Sequence, residues 1–296
     1  MGSIIDLVGD TPLCDCSALV GKPGVRLLAK CEGANPASSV KDRAAKGMIV
    51  GAMERGELKA GMRLIEATSG NTGIALAMIA RAVGVEMHLA MPDTLTIERT
   101  QTMKAFGATV HLIDGGMEAA RDWAEAQVRE TAGRPDAFLM LNQFANPDNP
   151  RAHYAATGPE IWRDTQGAVT HFVSAMGTTG TIMGVSRFLK EQDAAIRVIG
   201  CQPTEGSSIP GIRRWPAAYL PKIYEPKRVD RIVDVAQKDA EDFTRRLARE
   251  VGLFVGISSG GAAWAAVQVA REIDRGVVVF ITCDRGDRYL SSDVFR

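Results

Sequence analysis

The chain has 296 residues, 46% hydrophobic and 24% charged, the composition of an ordinary globular protein. Its 35 Lys+Arg and 35 Asp+Glu cancel, which leaves no electrostatic basis for holding nucleic acid or an anionic membrane surface and points to a small-molecule substrate. No apolar run reaches the roughly 18 residues that span a bilayer, the first residues lack the basic and apolar regions of a signal peptide, and five cysteines do not make a disulfide framework. A cytoplasmic protein with reduced thiols is expected.

Short runs rich in Val, Ile and Leu predict strands over 25–30, 63–68, 85–91, 109–113, 138–141, 169–174, 197–201 and 277–282. Amphipathic stretches between them predict helices over 41–55, 72–83, 97–106, 117–131, 151–165, 179–190, 238–251 and 259–273. This alternation predicts parallel sheets covered by helices. Two breaks stand out. The Asn- and Pro-rich stretch 142–150 marks a domain crossover, and 207–226, with four prolines and three large aromatics, predicts a long ordered loop.

Five segments could carry chemistry. In Asn35-Pro36-Ala37-Ser38-Ser39-Val40-Lys41 a turn-rich loop delivers a lysine to the start of a helix. A lysine there faces the positive end of the helix dipole, which suits an imine-forming amine; on this motif alone a solvated lysine of the first turn is the plainer reading. Thr68-Ser69-Gly70-Asn71-Thr72-Gly73 lies between a strand and a helix and exceeds what a simple cap needs. It can hold a carboxylate or a phosphate on free N–H groups and hydroxyls. Gly177-Thr178-Thr179-Gly180-Thr181 occupies the same kind of place. It matches neither the P-loop nor the dinucleotide fingerprint, so a non-nucleotide phosphate, as on a cofactor, fits it better. Gly256-Ile257-Ser258-Ser259-Gly260 reads as the nucleophile elbow of a serine hydrolase. Against that, His88, His111, His153 and His171 all precede Ser258, where a hydrolase base would follow it. The fifth segment, Cys283-Asp284-Arg285-Gly286-Asp287-Arg288-Tyr289, ends a strand with a thiol and charges, where α/β folds place ligand clefts. No histidine spacing suits a metal, and none is expected.

Taken in order, from Val8-Gly9-Asp10-Thr11-Pro12-Leu13 to Asp287-Arg288-Tyr289-Leu290-Ser291, these segments resemble the fold-type II enzymes that use pyridoxal 5′-phosphate, and among them the cysteine synthases (O-acetylserine sulfhydrylases). The resemblance implies a tryptophan synthase β-like α/β fold of two domains with mostly parallel sheets and the cofactor between them. Residues 40–145 would form a smaller, mobile, substrate-binding domain; 1–39 plus 146–296 would form the larger, cofactor-binding one. Lys41 matches the lysine that holds the cofactor as an imine, and Asn71 the partner of its phenolic oxygen. Gly177, Thr178, Thr179, Gly180 and Thr181 match the phosphate cradle. Ser258 matches the residue facing the pyridine nitrogen, with Ser259 as the neighbouring alternative. Thr68, Ser69, Thr72 and Gln143 match the groups that receive the substrate carboxylate.

The implied reaction replaces the acetoxy group of O-acetyl-L-serine by a sulfur nucleophile, through an α-aminoacrylate. Two stretches, Ile209-Pro210-Gly211-Ile212-Arg213-Arg214-Trp215-Pro216 and the 283–289 segment, look like the B-type members of that family, which are associated with thiosulfate as well as sulfide. A dianion needs cationic partners. Arg213, or less directly Arg214 or Arg288, would supply charge, with Cys283 lining the same place. A relative using O-phosphoserine is the nearest alternative. A homodimer is expected from the family and from the prevalence of symmetric pairing.

Overall fold

The computed structural model describes residues 2–68, 70–93 and 97–296. In chain order the first elements are β1 (Leu13–Asp15), β2 (Val25–Cys31), α1 (Lys41–Glu54), β3 (Arg63–Ala67), α2 (Asn71–Ala82), β4 (Met87–Pro92), α3 (Ile97–Ala105), β5 (Thr109–Ile113), α4 (Met117–Thr131) and β6 (Phe138–Met140). There follow α5 (Asp148–Ala152), a π-helical turn His153–Thr157, α6 (Gly158–Asp164), β7 (His171–Ala175), α7 (Gly180–Gln192), β8 (Arg197–Pro203), β9 (Arg231–Val235), α8 (Gln237–Val251), α9 (Ile257–Glu272) and β10 (Gly276–Thr282).

The chain divides into two units, one of Met1–Val8 and Lys41–Asn149, the other of Gly9–Val40 and Pro150–Arg296. The smaller unit is built on a four-stranded sheet in the order β5-β4-β3-β6, with every pairing parallel. β4 is buried along its whole length, so both of its faces are covered, as for a strand between two helical layers. One side of the sheet, with Ile65, Ala67, Ala90 and Phe138, packs on Ala120 and Ala124 of α4. The sequence boundary for this domain, 40–145, leaves out the N-terminal residues that belong to it. Lys46 Nζ donates to Ile5 O at 2.8 Å, and the short 3₁₀ turn Ile4–Leu7 packs on α2. The expectation that the N-terminal stretch returns to the larger domain is therefore corrected for Met1–Val8.

The larger unit holds a six-stranded sheet in the order β1-β2-β10-β7-β8-β9. All its pairings are parallel except β1 with β2. α9 is apolar and small-residue-rich nearly all round, and it is buried along most of its length. Such a helix must lie inside a core rather than on a surface. A side chain at Gly260 would meet Ala240 O at 2.1 Å, so glycine there lets α9 close on α8. That contact fixes where α9 begins, and with it the serines of its first turn.

Candidate active site

In the smaller unit two helices start with functional residues. Lys41 is the first residue of α1, and Asn71 is the first residue of α2, after Gly70 as an N-cap without a side-chain cap. α1 and α2 pack together. Glycine at 73 permits a close fit, since a Cβ there would lie 2.7 Å from Met103 Cε and 3.0 Å from Thr68 Cγ2. Thr68, Thr72 and Gln143 are all buried, and Thr72 Oγ1 donates to Gln143 Oε1 at 2.8 Å. The structure thus joins two of the residues expected to receive a carboxylate although 71 positions separate them. Ser69 lies outside the described residues. Asn149, which sequence reasoning did not single out, donates from Nδ2 to Gln143 O at 2.8 Å and fixes that residue from behind. Its signal was the Asn-rich run at 142–150, read only as a crossover.

In the larger unit the 177–181 loop runs from β7 into α7. Thr179 is the N-cap of α7 in a left-handed conformation (φ 71°, ψ −4°) that a side-chain-bearing residue rarely adopts. Its hydroxyl is buried without a hydrogen-bond partner among the described residues. A buried O–H left unpaired costs free energy, and strain of this kind is a mark of functional sites. A Cβ on Gly177 would lie 2.7 Å from Gly211 O, so the loop passes tightly under the 207–226 segment. Trp215 Nε1 donates to Gly177 O at 2.8 Å and Arg213 N to Met176 O at 2.9 Å. Thr181 Oγ1 lies 3.3 Å from His153 Nε2, which gives that buried histidine a bracing role the sequence did not reveal. The donors fit a phosphate: a helix N-terminus without a side-chain cap and an orphaned hydroxyl offer to an anion what the protein itself does not satisfy.

Ser258 and Ser259 are now distinguishable. Ser259 Oγ accepts from Cys283 N at 2.8 Å, which ties the 283–289 segment to α9. The Ser258 hydroxyl has no hydrogen-bond partner among the described residues, and its side chain faces Gly211. Without a histidine beside it, Ser258 has no base to make it a hydrolytic nucleophile. Gly256, which caps α9, admits Asp284 and Tyr289: a Cβ there would be 2.2 Å from Asp284 Oδ1, and Tyr289 Oη donates to Asp284 Oδ2 at 2.8 Å. The fifth motif therefore buttresses the helix that presents Ser258.

The arginines separate in the same way. Arg214 is committed to Asp234 at 2.6 Å and to Pro203 O at 2.9 Å, and Arg288 donates to Ala37 O. Arg213 is exposed, lies over the Trp215 ring at 5.4 Å, and has no carboxylate partner among the described residues. Cys283 is half-buried.

The pyridoxal-phosphate dependent enzyme family matches residues 4–284. The chain belongs to that family. It is 58% identical over 295 residues to cysteine synthase B of Pseudomonas aeruginosa, covering 99% of this chain and 97% of that one. It is 54% identical to cysteine synthase B of Escherichia coli, over 100% of this chain and 96% of that one. Among solved structures, a cysteine synthase from Entamoeba histolytica superposes with a TM-score of 0.94 at 38% identity, covering 100% of this chain and 90% of that chain. Among the described residues no helix is long and apolar enough to cross a membrane.

Proposed function

We propose that the chain makes L-cysteine, or S-sulfo-L-cysteine, by replacing the acetoxy group of O-acetyl-L-serine with sulfide or thiosulfate. The observation that carries the cofactor assignment is the left-handed N-cap of α7, with the unpaired Thr179 hydroxyl buried in it. Gly177, Thr178, Thr179, Gly180 and Thr181 hold the cofactor phosphate, Asn71 meets its phenolic oxygen, and Ser258 faces its pyridine nitrogen. When bound, pyridoxal phosphate supplies an aldehyde for amines and a sink for the electrons left at the substrate Cα.

The protein's own groups do the rest. Lys41 Nζ tethers the cofactor, removes the proton from the substrate Cα as general base, and later returns a proton there. Thr68, Ser69, Thr72 and Gln143 hold the substrate carboxylate and so orient the Cα–H bond for that transfer. At Cβ the C–O bond breaks, acetate departs with its electron pair, and the sulfur nucleophile supplies the pair for the new C–S bond. Ser258 is a neutral partner and does not force a proton onto the pyridine nitrogen, which favours prompt elimination over a long-lived carbanion. The smaller unit is the mobile one that receives substrate, and the working form is a cytoplasmic homodimer.

The B-type relatives and the unpaired guanidinium of Arg213 support thiosulfate as a second sulfur donor, with Cys283 beside it. Borohydride reduction followed by peptide mapping tests the core of this reading. The pyridoxyl tag is expected on Lys41; a tag elsewhere, or none, overturns it. A sulfur-donor panel with product masses tests the rest. Arg213→Ala should lose thiosulfate activity selectively, and equal loss with sulfide removes the arginine from a thiosulfate site.

A further inference from the structure

Glu66 is a buried acid in β3, between the core residues Ile65 and Ala67, and it plays no part in the scheme above. Its Oε2 accepts from Asn142 N at 2.9 Å. That amide lies just beyond β6, where the chain turns sharply. Asn142 has φ 55°, in the left-handed region that favours glycine. The turn then closes on itself, with Ala145 N and Asn146 N both donating to Asn142 O, at 3.0 and 2.9 Å. Gln143 is the next residue along.

Gln143 is thereby held at three points. The amide ahead of it is fixed by Glu66, its own carbonyl by Asn149, and its side chain by Thr72. A carboxylate accepts a main-chain N–H with charge assistance that a neutral side chain lacks. Burial makes this arrangement costly and pushes the Glu66 carboxyl up to about 7. An apolar residue at 66 would avoid that cost in a strand whose neighbours Ile65 and Ala67 are core residues.

We propose that Glu66 is a positioning residue for substrate binding: it holds the Asn142 amide in the left-handed turn that aims the Gln143 side chain at Thr72. This rests on the reading of Thr72 and Gln143 as receivers of the substrate carboxylate. Glu66 touches no substrate atom and acts only through the turn.

The test compares holoenzymes carrying Glu66→Gln, Gln143→Ala, and both. Glu66→Gln keeps the shape but replaces one acceptor with a donor and removes the charge that strengthens the bond from the Asn142 amide. It should raise KM for O-acetyl-L-serine about tenfold while kcat changes little. The visible cofactor band should stay unchanged. The double variant should be little worse than Gln143→Ala alone, because both act on one group. Hydrogen exchange of the 138–146 peptides should quicken in Glu66→Gln, a readout independent of turnover. Glu66→Asp keeps the charge but shortens the reach, and should fall between wild type and Glu66→Gln; it also serves if the amide variant does not fold. If Gln143→Ala raises KM and Glu66→Gln does not, the positioning role is overturned while the carboxylate reading stands. If Gln143→Ala leaves KM unchanged, the carboxylate reading fails and this proposal fails with it. Unchanged exchange in the 138–146 peptides also overturns the proposal.

Discussion

The molecule contains two loops of similar recipe, each leading from a parallel strand into a helix through glycines and threonines, and they are satisfied in opposite ways. In the 177–181 loop the Thr179 hydroxyl is buried and unpaired, and its backbone is left-handed. At the end of the loop into α2, in the first turn of that helix, the Thr72 hydroxyl already has a partner, Gln143 Oε1 at 2.8 Å. The first arrangement is incomplete without an anion and suits a group that stays. The second can exchange an internal hydrogen bond for an external one at small net cost, which suits a group that arrives and leaves each turnover. Composition alone would not separate them, since both are runs of Gly, Thr and Ser or Asn.

The largest expected effect tests the proposed base. Lys41→Ala should lower turnover by about three orders of magnitude or more, as loss of a general base does. It should also abolish borohydride trapping, while the protein remains folded by circular dichroism. The next effect sharpens the contrast. Thr179→Val removes the orphaned hydroxyl and should weaken cofactor retention roughly tenfold to a hundredfold, measured by equilibrium dialysis, with KM for O-acetyl-L-serine unchanged. Thr179→Gly relieves the left-handed backbone as well, and should stabilise the cofactor-free protein by about 1 kcal/mol while still weakening the cofactor. Thr72→Val should do the reverse, raising KM about tenfold and leaving cofactor affinity intact. If Thr72→Val releases the cofactor, or Thr179→Val changes KM alone, the two loops do not divide the work in this way.

Much of this was legible before any coordinates. Runs of Val, Ile and Leu mark strands, so eight of the ten strands among the described residues, and the helices between them, follow from periodicity to within a few residues. Two edge strands escaped. β1 is only three residues long, and β9, Arg231-Ile232-Val233-Asp234-Val235, carries charges on its exposed positions as edge strands do. Charged residues inside strands were the other blind spot. Lys30 ends an apolar run and reads as a surface terminus, yet it is fully buried, with Glu160 at 2.7 Å and Thr11 O at 2.6 Å. Its partners come from distant segments that no local pattern connects. The glycine and threonine motifs were legible because their chemistry is local. The groups that brace them, Trp215, His153 and Asn149, were not, because each bond spans 6 to 38 positions.

Glu66 also gives an effect read in stability rather than turnover. Desolvation raises its carboxyl to about 7, above the 4.5 of an exposed glutamate, with the main-chain bond from Asn142 and the charge of Arg121 pulling the other way. The folded protein therefore binds more protons than the unfolded chain between those values. Stability from this group is full below about pH 4.5 and is lost as pH rises through about 7. The loss is on the order of 3 kcal/mol for this group alone. Exposed carboxylates such as Asp15 and Asp234, lowered by their hydrogen-bond partners, act in the opposite direction at lower pH. The informative quantity is thus the difference between two melting curves. Glu66→Gln has no proton to lose, so its melting temperature should gain on wild type as pH is raised from 5 to 8, even though its substrate affinity is poorer. A pH-independent difference would mean that the carboxyl at 66 titrates alike in the folded and unfolded chain, and that the Leu141–Asn142 turn is held at no electrostatic cost.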